Sequence, residues 1–131
     1  MKNMMTRLFL VLLACASSFI NIYAAEKTYN VTSPDGKLKV EVFAGQGLAY
    51  QVSYENAIVL SKSDIDLILS KRVSIGMDSR VMRVQRKKIE EMVESPFYRF
   101  SKFVATCNEL NLKLKNGFGV VFRAYNDGVA Y

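Results

Sequence analysis

Short runs of alternating apolar and polar residues recur along this chain, each closed by a turn-forming cluster, and that rhythm narrows the fold more than any other feature. Lys37-Leu38-Lys39-Val40-Glu41-Val42-Phe43 puts Leu38, Val40 and Val42 on one face and Lys37, Lys39 and Glu41 on the other, the period-2 pattern of a half-buried strand. Before it, Thr28 to Thr32 reads as a first strand ended by Ser33-Pro34-Asp35-Gly36, where proline presets the turn and glycine accepts the left-handed angle. Gly45-Gln46-Gly47 turns the chain into a strand with Leu48, Tyr50, Val52 and Tyr54 on one face. Glu55-Asn56 links it to Ala57-Ile58-Val59-Leu60, and Ile65, Leu67 and Leu69 then alternate with Asp64, Asp66 and Ile68. Leu110, Leu112 and Leu114 alternate with Asn111, Lys113 and Lys115, and Asn116-Gly117 closes a hairpin onto Phe118 to Tyr125. Strands at this spacing predict an all-β fold, an antiparallel sandwich or barrel.

The last sixteen residues sharpen that reading. Phe118, Val120, Phe122 and Ala124 alternate with Gly119, Val121, Arg123 and Tyr125, and Asn126-Asp127-Gly128 is expected to supply left-handed angles for a further hairpin. Val129-Ala130-Tyr131 then opens a new strand with no successor. An unpaired edge invites association, so the expectation is that this is the front part of a longer protein. Val81 to Glu94 is rich in helix formers and contains the i,i+4 pair Lys87 and Glu91. Its apolar stripe is limited to Val81, Val84, Ile89 and Met92, so the expectation there is strand, bend, strand.

The N-terminus carries an address. Met1 to Arg7 holds Lys2, Arg7 and no acid, and Leu8 to Ala14 is a continuous apolar run, extended less purely to Ile22 with Ser17, Ser18 and Asn21 interrupting it. This is the layout of a secretory signal peptide spanning residues 1–24, with Ala24 at the cleavage point. A membrane span needs about 20 apolar residues without such interruptions. The expected mature domain is residues 25–131, exported to the periplasm or outer cell surface. A minority reading makes Leu12-Leu13-Ala14-Cys15 a lipobox with Cys15 acylated, the one route by which this chain would meet a membrane.

Removing Lys2 and Arg7 from the 18 basic residues leaves 16 against 12 acids, a mild excess. Arg83-Val84-Gln85-Arg86-Lys87-Lys88 is answered by Glu90, Glu91 and Glu94 and reads as a solvated strand face, so no nucleic-acid partner is expected. The chain has no histidine, which excludes Cys-His and Ser-His-Asp nucleophiles and histidine metal sites within it. Without the leader only Cys107 remains, set among Phe103-Val104-Ala105-Thr106, and it reads as a small buried hydrophobe. The paired acids Asp64 and Asp66, and Glu90 and Glu91, read as strand-edge carboxylates, and Asp127 as a turn residue rather than a cation ligand. Tyr98 and Arg99, in Ser95-Pro96-Phe97-Tyr98-Arg99-Phe100, are the candidate substrate-binding pair, because an aromatic ring beside arginine can hold a pyranose face.

Thr32-Ser33-Pro34-Asp35-Gly36-Lys37-Leu38, Tyr50-Gln51-Val52-Ser53-Tyr54, Asn108-Glu109-Leu110 and the closing Phe122-Arg123-Ala124-Tyr125-Asn126-Asp127-Gly128-Val129-Ala130-Tyr131 occur in the order and approximate spacing of the N-terminus of glycoside hydrolase family 97, which the chain resembles over its whole mature length. Where many members carry a tryptophan-rich segment, this chain has no tryptophan and reads Ser95-Pro96-Phe97-Tyr98-Arg99. The resemblance implies an exported α-glucosidase- or α-galactosidase-like enzyme with an N-terminal galactose mutarotase-like super-sandwich, a (β/α)8 catalytic barrel and a C-terminal β domain. It also implies calcium and a carboxylate pair acting on an oligosaccharide, with those residues outside this stretch. No catalytic, cofactor or metal residue is therefore assigned here, and the chain alone is expected to be inactive: an incomplete, non-catalytic sandwich that packs on the barrel and helps shape its sugar pocket. A free-standing carbohydrate-binding or adhesin-like β module is the alternative.

Overall fold

The computed structural model describes residues 25–69, 73–94 and 102–131. These form ten strands: β1 (Lys27–Thr32), β2 (Leu38–Ala44), β3 (Leu48–Tyr54), β4 (Ala57–Asp64), β5 (Ile68–Leu69), β6 (Val73–Ser74), β7 (Val81–Glu94), β8 (Lys102–Leu114), β9 (Gly119–Ala124) and β10 (Val129–Ala130). One antiparallel sheet runs β1-β2-β3-β4, a second runs β10-β9-β8-β7, and β5 pairs with β6. The all-β antiparallel sandwich expected from the sequence is present.

The core lies between the two large sheets. Val31, Leu38, Val40, Val42, Ala44, Leu48 and Val52 come from the first, and Leu110, Leu112, Leu114, Phe122 and Ala124 from the second. The alternation that predicted β2 is its burial pattern, with Leu38, Val40, Val42 and Ala44 buried and the residues between them only partly so. Tyr50 and Tyr131 close one side of this core against Phe122, with ring centroids 5.9 and 5.7 Å from it.

The first hairpin turn is the one the sequence anticipated. Gly36 sits at φ 77°, its amide donating to the Ser33 carbonyl at 2.9 Å, while the Ser33 amide donates to the Leu38 carbonyl at 2.8 Å. The Asn126-Asp127-Gly128 turn differs from expectation: none of the three lies in the left-handed region, and the Tyr125 amide closes it by donating to the Gly128 carbonyl at 2.8 Å. The left-handed pair falls instead at Glu55 and Asn56, φ 46° and 68°, the two-residue link between Tyr54 and its partner Ala57. Two consecutive positive φ angles suit the right-handed twist of a tight hairpin, but each costs a residue with a Cβ about 1–2 kcal/mol. Replacing Glu55-Asn56 by Asn-Gly should therefore raise Tm by about 4–8 °C in thermal melts. The Lys37–Glu55 ion pair that this removes, 3.2 Å and half exposed on both sides, contributes little.

Three strand boundaries depart from the sequence reading. β4 runs through Ser61-Lys62-Ser63 to Asp64 with two register shifts against β3, so the single strand expected over Asp64 to Leu69 is split. The Ile65 amide makes a last bond to the Leu48 carbonyl at 2.8 Å. Asp66 then turns away to accept from the Ser74 hydroxyl and the Gly76 amide. Gly76 is required there, because a Cβ would lie 2.5 Å from the Ile65 carbonyl oxygen. Val81 to Glu94 is one continuous strand, neither helix nor strand-bend-strand. It pairs residue for residue with β8 from Arg83–Lys113 to Glu94–Lys102, with a single register shift at its start. A partner strand of nearly the same length pairs the backbone groups of β7 that point toward it, and this long-range ladder outweighs the local helix propensity.

Candidate functional site

Tyr98, Arg99 and Cys15 lie outside the described residues. Cys107 is buried, the small buried hydrophobe its neighbours suggested. The paired acids do not assemble a site. Asp64 ends β4, while Asp66 is committed to the Ser74 hydroxyl and Gly76 amide, which hold its carboxyl below the usual range. Glu90 and Glu91 are successive on β7, opposite Thr106 and Ala105, and so point to opposite faces. Among the described residues no three His, Cys, Asp or Glu side chains come together to hold a metal.

What the fold does bring together is a set of polar residues at one end of the sandwich. The Asn108 Nδ2 donates to the Thr32 carbonyl at 2.8 Å, and the Asp35 amide donates to the Asn126 Oδ1 at 3.0 Å. Asn108 and Asn126 thus tie the β1–β2 turn of one sheet to β8 and the β9–β10 turn of the other. Asp35 organises that turn. The Ser33 hydroxyl and the Lys37 amide donate to its carboxylate and hold its pKa below the ordinary value. At the opposite end the buried Ser79 plays the corresponding part, accepting from the Gly45 amide at 3.2 Å and donating to the Gly47 carbonyl. Nearby, Arg80 grips both oxygens of Asp78 at 2.6 and 2.9 Å. Sequence reading missed the Asn108, Asn126 and Ser79 ties because each joins residues more than 30 positions apart.

Glu109 is the one buried acid among the described residues. It stands directly opposite Arg123 on β9 and Lys87 on β7, on the sheet face away from the core. The Arg123 Nε donates to its Oε2 at 3.0 Å. That bond, followed by one with Tyr125, raises the guanidinium pKa. Beside the pair, Asn111, Val121, Ala130 and Tyr131 border a recess of about 480 Å³. A second cleft, about 300 Å³, opens between β1 and β7–β8, its polar lining Asn30, Thr32, Arg86, Lys87, Lys88, Asn108 and Glu109. With Glu109 neutralised by arginine and no second carboxylate bordering either recess, neither holds the two-acid arrangement of glycoside hydrolysis.

Residues 31–131 match the model of the glycosyl-hydrolase 97 N-terminal family. A retaining alpha-galactosidase of Bacteroides thetaiotaomicron is 36% identical over 120 residues, which is 92% of this chain and 18% of that protein. Structures of a glycoside hydrolase family 97 enzyme from Pseudoalteromonas sp. strain K8, one in complex with panose and one with acarbose, align with a TM-score of 0.65 at 21% identity, over 77% of this chain and 16% of theirs. The chain therefore spans less than a fifth of the length of these relatives.

Proposed function

The chain belongs to the glycosyl-hydrolase 97 N-terminal family, and from that premise we propose that it is the non-catalytic sandwich of an exported α-glycoside hydrolase, packing on a (β/α)8 barrel and helping to wall its sugar pocket. The observation that carries this reading is the 36% identity to a retaining alpha-galactosidase across 92% of the chain. An α-galactoside or α-glucoside of an oligosaccharide is the substrate we assign to the whole enzyme. Residues 1–24 act as the leader, with Ala25 the new N-terminus and residues 25–131 belonging to the exported sandwich. Calcium, which the family resemblance implies, finds no ligand set among the described residues, and no step of the chemistry is assigned to it here.

The β7–β8 ribbon supports the packing role. Its far half, beyond Ile89 and Cys107, presents Met92, Phe103 and Val104 at 64, 45 and 54% exposure. By register, Met92 pairs with Val104 on one face and Val93 with Phe103 on the other. A two-stranded ribbon is at best marginally stable alone in water, so apolar side chains on both faces fit a ribbon clasped by a neighbouring domain. The test compares Met92→Asp/Phe103→Asp in the full-length enzyme and in the present chain. In the full-length enzyme kcat/KM on a nitrophenyl α-galactoside or α-glucoside should fall by about tenfold or Tm should drop by several degrees. The chain alone should melt as before. Unchanged activity and Tm in the full-length enzyme would refute the packing role, and an inactive wild-type enzyme would refute the glycosidase reading itself.

A further inference from the structure

We infer that the cleft between β1 and the β7–β8 ribbon is an oxyanion site, built for the carboxylate or sulfate group of an acidic sugar residue. The saccharide part rests on the glycosidase reading above, whereas the anion part rests on geometry alone. β1 is the edge strand of its sheet, and its open side faces Arg86 and Asn108. The Asn30 carbonyl accepts from the Arg86 Nη2 at 3.5 Å and the Thr32 carbonyl from the Asn108 Nδ2 at 2.8 Å. In an antiparallel strand the N–H and C=O of one residue point to the same side. The amides of Asn30 and Thr32 therefore face the same cleft, with no strand beyond β1 to take them.

Arg86 and Lys88 share a face of β7, opposite Leu110 and Asn108, and both border the cleft. Among the described residues neither forms an ion pair. Lys87 and Glu109 also border the cleft, but the Glu109 carboxylate is held by Arg123, and Glu90, next on the same face, pairs with neither cation. The cleft thus gathers an ammonium, a guanidinium and two edge amides whose carbonyls are already answered. Donors that outnumber the acceptors left open select an anion, and a planar guanidinium matches a carboxylate or sulfate in two-point contact. Its volume of about 300 Å³ sits at the lower end of ligand pockets and exceeds what a bare oxyanion fills, leaving space for the ring that carries it.

The experiment titrates the chain with sodium glucuronate, sodium sulfate and neutral galactose at constant ionic strength, following binding heat and the amide resonances of Asn30 and Thr32. Saturable glucuronate binding that shifts both amides is expected, with weaker sulfate binding at the same place and none by galactose. Arg86→Ala/Lys88→Ala should weaken glucuronate by about tenfold or more. Lys27→Ala/Lys115→Ala, which removes the same charge at the other end of the sandwich, should leave it unchanged. Equal weakening by both double variants would reduce the effect to diffuse charge and overturn the site, as would the absence of saturation. Binding of sulfate without glucuronate would overturn the saccharide assignment. Activity of the full-length enzyme on a neutral α-galactoside should be indifferent to Arg86→Ala/Lys88→Ala, so the fate of this site and that of the glycosidase reading are read separately.

Discussion

Truncating Phe122 to alanine is expected to cost about 3–5 kcal/mol, the range for removing a large aromatic from a packed interior. A domain of this size has only about 5–15 kcal/mol to lose. Phe122 is the largest fully buried side chain in the described residues, and it points from β9 into the space between the sheets. Its ring meets Tyr50 of the opposite sheet at 5.9 Å and Tyr131, just past β10, at 5.7 Å, while those two rings stand 5.0 Å apart. Removing it opens a cavity and strips both tyrosines of their common neighbour, and the strands around it cannot collapse inward because their hydrogen-bond ladders fix the spacing. Phe122→Leu, which keeps most of the volume, should cost less than about 1.5 kcal/mol. Urea unfolding followed by far-ultraviolet dichroism separates the two, since the chain has no tryptophan to report on packing. A cost below about 1 kcal/mol for the alanine variant would mean that the sheets are not held together through this ring.

The same residue shows why so much of the fold was legible. Phe122 sits in an unbroken alternation from Phe118 to Tyr125, and Leu110, Leu112 and Leu114 in another. Because the side-chain period of a strand is two, such runs fix both the element and the buried face. Where alternation failed, the reading failed. Val81 to Glu94 is composed of helix formers, and only the nearly equally long β8 opposite it, a feature far away in sequence, decides that it is a straight strand. The turn at Glu55-Asn56 gave no composition signal, since glutamate rarely takes a positive φ. Asn126-Asp127-Gly128 gave a strong one and did not need it, the turn being closed by the Tyr125 amide on the Gly128 carbonyl with no left-handed residue.

Site geometry was far less visible. Asn108, Asn126 and Ser79 looked like ordinary polar residues, yet they tie together turns that lie 34 to 91 positions apart. No local pattern encodes a bond of that range. Glu109 was read only as part of a family-like segment. Its burial follows from the register that places it between Lys87 and Arg123, and register emerges only when three strands are aligned. The basic run Arg83 to Lys88 reads as one solvated face, but a strand divides it between two. Arg86 and Lys88 stand opposite Leu110 and Asn108, Lys87 opposite Glu109, and all three cations border the β1 cleft.

Arg123→Met is expected to destabilise the chain measurably, because it removes the charged partner of a buried carboxylate. The Glu109 side chain is only 9% exposed and depends on Arg123, itself 42% exposed, for its one charged partner among the described residues. Methionine fills the space of the arginine stem but leaves the carboxylate without a cation or a donor, so the desolvation cost of Glu109 is no longer offset. The solvent access of Arg123 keeps the loss below that of a fully enclosed pair. Lys87, opposite Glu109 on β7, is long enough to swing toward the carboxylate and sets a further limit on it. Glu109→Gln retains an acceptor for Arg123 and should cost about 1 kcal/mol. The double variant, with no charge left to strand, should be more stable than Arg123→Met alone, a coupling that a double-mutant cycle in urea measures directly. Additive losses would show that the pair contributes nothing to holding β8 against β9.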